Sequence, residues 1–238
     1  MKILKNKKIL ISSISILSLG LILLFVFLIN RTPAEVLNSN ISFSDLSEDS
    51  LTSGSAAASY RYYENYDQAD KYADTVVIGD VIKVNEPEEL VLGEATNTII
   101  GEKEPLSYVY TVSEVKVIKV IKGKYSSGDI IKIKQYGGVY KDREYSLEGI
   151  KYYQTGERHI FFLKSYGDTP SSTVNPQQGD MLIKDGKTSA RNKVQFIKDN
   201  ISEDLAVSAL KDRVKYLKDK KNDNSNKSEQ STDLGNEN

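Results

Sequence analysis

Hydrophobic and polar positions divide the chain into a few readable stretches. Ile9 to Ile29 carries no charge, and about 21 residues at ~1.5 Å each give a helix of ~31 Å, the thickness of a bilayer's hydrocarbon core. Residues 30–59 are rich in Ser, Asn, Asp and Ala, and 222–238 are polar throughout; neither holds enough apolar surface to offset the entropy of ordering. The first is expected to be a flexible stalk and the second a disordered tail.

Between them, Tyr62, Tyr66, Ala69 and Ala73 fall on one face of a short helix. Thr75 to Val84 is a β-branched run interrupted by Gly79 and Asp80, which predicts a strand with a bulge or sharp bend. A polar connection follows from Asn85 to Pro105. In the long run Ser107 to Ile121, the residues Val109, Thr111, Ser113, Val115 and Val117 share one face by alternation. Ile118 and Val120 then take over as the apolar pair, so a bulge near Val117, or burial of both faces, is expected there.

Ile131 and Ile133 alternate with Lys132 and Lys134 in a half-buried strand from Ile130 to Gln135. Arg158 to Lys164 and Met181 to Lys184 supply two more short strands, making five. The intervening turns are Gly167-Asp168-Thr169-Pro170 and Asn175-Pro176 to Gly179-Asp180. Ser202 to Lys221 is amphipathic, with Ala206, Leu210, Val214 and Leu217 on one stripe; Asn200 or Ser202 is its candidate cap, and Glu203 and Asp204 suit its first turn.

Charge adds an orientation. Lys2, Lys5, Lys7 and Lys8 precede the apolar run and only Arg31 follows closely, which places residues 1–8 in the cytoplasm, 9–29 across the membrane as a signal anchor, and the 60–221 domain outside. Cleavage after Thr32-Pro33-Ala34 is the alternative, and it would leave a secreted domain. With those five basic residues set aside, 27 remain against 33 acidic ones, a balance of -6. That surplus speaks against nucleic acid as a partner. The absence of Cys means that the exported domain is held by its core alone.

Candidate catalytic chemistry is sparse. There is no Cys nucleophile, no phosphate-binding Gly-rich loop and no G-x-S-x-G elbow. The single His, His159, shares a strand face with Phe161 and Leu163, and a structural or surface role is expected of it. With one His and no Cys, a metal would need oxygen ligands, and the acidic groups at Asp67, Asp70 and Asp74 and at Glu86, Glu88 and Glu89 read as solvated faces. No cofactor or metal site is expected.

The tyrosines are the best contact residues. Tyr60, Tyr62, Tyr63, Tyr66 and Tyr72 crowd one segment, where packing explains them. Tyr136, Tyr140, Tyr145, Tyr152 and Tyr153 surround a loop marked by Gly137-Gly138 and Gly149 and are the candidate binding residues.

The series Ala73-Asp74-Thr75-Val76-Val77-Ile78-Gly79-Asp80-Val81, then Val115 to Val120 leading into Lys122-Gly123, then Gly128-Asp129, and Gly156 before Phe161-Phe162-Leu163 resembles bacterial exported domains with OB-like barrels. These are similar to netrin-like and tissue-inhibitor-of-metalloproteinase-like domains, and the resemblance covers residues 70–187. It implies a mainly β fold, a five-stranded OB-like barrel with a short N-terminal and a longer C-terminal helix, a shape used for binding. The animal domains depend on disulfides, and the inhibitors chelate zinc through an N-terminal cysteine. This chain has neither, so no functional residue transfers.

The expectation is therefore a membrane-anchored extracytoplasmic binding module. It would present the 136–157 loop, and the 85–105 loop beside it, to an extracellular protein or a cell-wall glycan. An inhibitor of an extracellular protease and a carboxylate-dependent surface hydrolase are the rival classes.

Overall fold

The computed structural model describes residues 36–37, 60–96, 103–147, 150–191 and 195–233. The expected membrane span, residues 9–29, lies outside them, as do residues 1–8 and most of the expected stalk. Among the described residues no helix is long and apolar enough to cross a membrane.

The fold is mainly β with two helices. In chain order the elements are α1 (Tyr66–Tyr72), β1 (Thr75–Val84), β2 (Glu88–Thr96), β3 (Lys103–Lys122), β4 (Ile130–Tyr136), β5 (Gly138–Tyr140), β6 (Arg143–Tyr145), β7 (Arg158–Tyr166), β8 (Thr169–Thr173), β9 (Asp180–Lys184), β10 (Lys187–Ser189) and α2 (Glu203–Asp233). All five strand segments expected from the sequence are strands.

Along the sheet the neighbours run β1-β3-β4-β8-β7-β9-β10, and β1 also pairs with β7, so the pairings β1-β3-β4-β8-β7 return to their starting strand. All are antiparallel except β4 with β8, where Ile133 and Lys134 run parallel to Ser171 and Ser172. The fifth member of this circuit is β8, whose first two residues were expected in the Gly167-Asp168-Thr169-Pro170 turn, and not β9. Of its residues Thr169-Pro170-Ser171-Ser172-Thr173 only Ser171 is buried, so its place comes from backbone pairing and leaves no apolar signature. Both β8 and β9 lie on β7, β8 along Leu163–Tyr166 and β9 along Arg158–Phe161.

The polar connection at 85–105 is likewise corrected. It contains β2, which pairs with the early part of β3 from Lys103 to Tyr110. Leu90, Val91 and Leu92 in this strand are all exposed, so it has no buried face to produce alternation.

The long strand β3 behaves as its pattern demands. Val109, Thr111, Ser113, Val115 and Val117 are all buried. Gly79 pairs with Val117 but Ile78 pairs with Lys119, so Ile118 is an extra residue, and the bulge falls where the apolar phase shifts. Both faces are also covered there: Val115 and Val117 join the inner cluster with Ile131, Ile133, Phe161 and Leu163, while Ile118 and Ile121 pack against the cluster beneath the helices.

That second cluster draws in Tyr66, Ala69 and Ala73 from α1 and Ala206, Leu210 and Val214 from α2. Asn65 caps α1 by accepting from the Gln68 amide at 3.1 Å, and Ser202 caps α2 by accepting from the Leu205 amide at 3.4 Å. Arg213 forks onto Asp67, tying the helices together. Helix α2 continues past Lys221, where its apolar stripe ends, to Asp233, through residues expected to be a tail. Extending a formed helix adds one hydrogen bond per residue without a new nucleus.

Two residues of the expected stalk are part of the core. Val36 and Leu37 are buried in the helix-side cluster, Leu37 bridges Ile197, and the Lys198 amide donates to the Val36 carbonyl at 2.9 Å. An average composition over 30–59 hides such a pair. Val36→Ala is expected to cost about 2 kcal/mol in urea unfolding, from lost apolar burial and the cavity left behind; an unchanged midpoint would detach this arm from the core.

Candidate binding groove

The two faces of β3 have different fates. Val109 and Thr111 point inward, which turns Tyr108 and Tyr110 outward. Register places Tyr110 opposite Tyr136 of β4, and Leu90 of β2 opposite Tyr108. Tyr108 and Tyr136 lie nearly parallel, 15° apart with ring centroids separated by 6.3 Å, and Tyr108 meets Tyr110 at 5.7 Å. Tyr60, just before α1, completes the set.

Together they line an open, mainly apolar groove of about 480 Å³, to which Leu92, Leu147 and Ile150 add apolar walls and Ser107, Lys134, Ser172 and Thr173 add polar edges. The volume is within the roughly 300–1,000 Å³ of ordinary ligand sites. Burial, then the neighbouring phenols of Tyr136 and Tyr108, push the Tyr60 hydroxyl above its ordinary value of 10, so the three phenols face a common space. Tyr110 is raised too, by burial and then by Glu88, whose carboxylate accepts from its hydroxyl at 3.2 Å.

The five candidate tyrosines do not converge on one place. Tyr136 lines the groove. Tyr140, in β5, lies beneath the Lys141 ammonium at 4.7 Å. Tyr145, in β6, accepts on its carbonyl the Tyr152 hydroxyl at 2.6 Å, and Tyr152 lines a second, more polar cavity of about 700 Å³. Tyr153 is 3 % exposed and packs edge-on against Phe161 and His159, so it belongs to the core and not to a contact surface. The expected 136–157 loop contains the β5–β6 hairpin, and Leu147 and Ile150 from it wall both cavities.

Tyr108 and Tyr110 were not singled out by sequence. The available signal was two aromatic rings at i and i+2 on the outward face of a strand, where charged side chains are usual. Tyr60 was grouped with packing residues, which holds for Tyr63 and Tyr66 but not for Tyr60, 37 % exposed.

Below the second cavity lies a buried charge network. His159 is fully enclosed on β7, its Nδ1 2.9 Å from the Asp180 carboxylate and its Nε2 3.1 Å from that of Glu157. Arg191 donates to Asp180 at 3.3 Å and to the carbonyls of Lys151 and Tyr152 at 2.7 and 3.0 Å, with its guanidinium 5.3 Å from the Tyr153 ring centre. The network thus pins the segment that walls the groove.

Burial pulls the imidazolium of His159 toward neutrality, but the hydrogen bonds it donates to Asp180 and Glu157 and the Asp180 charge outweigh it and the opposing Arg191, leaving the pKa above 6.5. The resulting stabilisation is fully present below pH 6.5 and is lost as pH rises through the folded value. Wild-type urea midpoints are expected to fall between pH 6 and 9 more steeply than those of His159→Gln. Parallel slopes would remove His159 from the pH dependence.

The acidic groups are dispersed among separate partners. Asp67 holds Arg213, Asp70 holds Lys122 at 2.9 Å, Asp74 accepts from the Ser165 amide and hydroxyl, and Glu89 accepts from Ser107 at 2.7 Å. Among the described residues no group of three or more His, Asp or Glu converges as a metal site would require.

No family model matches this chain, and no curated protein matches it.

Proposed function

We propose that the protein is a membrane-tethered extracytoplasmic binding module whose ligand site is the tyrosine groove on the outer face of β2, β3 and β4. The tether is the uncharged run 9–29, oriented by the lysines before it. The circuit β1-β3-β4-β8-β7, with its single parallel pair, reads as a five-stranded OB-like barrel. In such barrels the exterior of the second and third strands is the usual ligand face, and here those strands are β3 and β4.

The observation that carries the reading is the groove itself: four tyrosines assembled from three separate parts of the chain, rimmed by hydroxyls and Lys134. Its described lining contains no carboxylate or imidazole, which favours recognition over hydrolysis.

The test is retention of envelope material. Full-length protein in detergent is expected to retain a defined component of the source cell's wall and membrane fraction. The Tyr108→Ala/Tyr136→Ala double variant should retain at least tenfold less, with an unchanged melting temperature because both rings lie on the outer face. Equal retention by the two proteins would exclude the groove as the site.

A further inference from the structure

We infer that the groove takes an uncharged oligosaccharide built of pyranose rings with equatorial linkages, laid along Tyr108, Tyr110 and Tyr136. The inference rests on the binding-module reading above and names the ligand class for the same site.

The first observation is the ring arrangement. Tyr108 and Tyr136 stack nearly parallel with centroids 6.3 Å apart and Tyr110 tilts against Tyr108 at 5.7 Å, so the three rings form one aromatic cluster in the groove wall. A pyranose with equatorial substituents has a flat face of C–H bonds that stacks on such rings, and a linear chain repeats that face from unit to unit. Aromatic side chains present this contact area at little conformational cost.

The second observation is the state of the hydroxyls. Among the described residues no hydrogen bond engages the phenols of Tyr60, Tyr108 or Tyr136, although all three line the groove. A phenol both donates and accepts. Sugar hydroxyls do the same, so every member of the pair is satisfied. An acyl chain would cover these phenols and leave them unpaired, at a cost for each. A proline-rich peptide, whose proline nitrogens carry no hydrogen, supplies mainly carbonyl acceptors and uses only the donor half.

The third observation is charge. Among the described lining residues Lys134 is the single charged side chain, and its ammonium lies 5.4 Å from the Tyr166 ring centre. Single-stranded nucleic acid also stacks on aromatic side chains, but it needs a positively charged track along its phosphates. One lysine, on a chain with a balance of -6 beyond residue 31, does not supply it.

The chain has fifteen tyrosines and no tryptophan, so tyrosine emission can report occupancy without a competing fluorophore. Full-length protein in detergent micelles would be titrated by fluorescence and calorimetry with cellohexaose, chitohexaose, a proline decamer and oligo-dT. Saturable binding of at least one sugar hexamer is expected, weakened tenfold or more by Tyr108→Ala and by Tyr136→Ala, and two- to fivefold by Tyr60→Phe, which removes only a hydroxyl. The melting temperatures of the variants should match the parent.

Binding of the proline decamer or oligo-dT in place of both sugars would overturn the sugar assignment while keeping the groove as a binding site. Silence with all four probes would also overturn it. The module reading falls separately, on the envelope-retention comparison.

Discussion

Asp180→Ala is expected to cost about 3–5 kcal/mol, because it removes the shared acceptor of Arg191 and His159 and leaves the buried Arg191 guanidinium without that carboxylate. Set against the roughly 5–15 kcal/mol that stabilises a domain, this takes the protein close to unfolding at ordinary temperature. Denaturant unfolding at pH 6 gives the measurement. The pH dependence should change as well. Without the Asp180 hydrogen bond and charge, burial becomes the dominant influence on His159 and favours its neutral form. Stability should then no longer fall between pH 6 and 9. Asp180→Asn, which keeps an acceptor oxygen, is expected to lose less. A loss under 1 kcal/mol for the alanine variant would mean that the network orients its loop without stabilising the fold.

Gly137→Ala should cost about 3 kcal/mol through two causes that can be separated. Gly137 adopts φ +93, a region unfavourable for a residue with a Cβ. A Cβ there would also stand 2.1 Å from the Tyr145 carbonyl oxygen and 2.2 Å from the Tyr152 hydroxyl. Rotation cannot relieve the clash, because the Gly137 amide donates to Val109 at 2.7 Å and its carbonyl accepts from Thr111 at 2.6 Å. Gly167 is the control: it has φ +63 but nothing within 4 Å of its Cβ position, so Gly167→Ala carries backbone strain alone, about 1 kcal/mol. Equal losses at the two positions would assign the whole effect to backbone conformation. Since Gly137 follows Tyr136 directly, the alanine variant should weaken groove binding too, whereas the Gly167 variant should not.

Much of the architecture is legible in the pattern of side chains. Alternation identified the buried face of β3 residue by residue, the phase change at Ile118 located its bulge, and the 3.6-residue stripe identified the core face of α2. His159 was correctly assigned to the face of Phe161 and Leu163, although its two carboxylate partners were not foreseen. These features are local: each depends on which side of its own element a residue occupies, and a side chain's polarity records that directly.

What alternation could not supply was partnership. Strand pairing is made by backbone groups that every residue carries, so β8, with small polar side chains, and β2, exposed in its middle, entered the sheet without an apolar signature. The docking of Val36 and Leu37 depends on a bridge to Ile197, far along the chain. The groove is the extreme case, since Tyr60, the Tyr108 and Tyr110 pair of β3, and Tyr136 lie on three separate segments and only sheet register and the path into α1 bring them together. Local side-chain patterning was enough for the mainly β class, the inward faces and the helix stripe. Tertiary structure alone decided which tyrosines became core and which became surface, because burial depends on what lies opposite a residue in space.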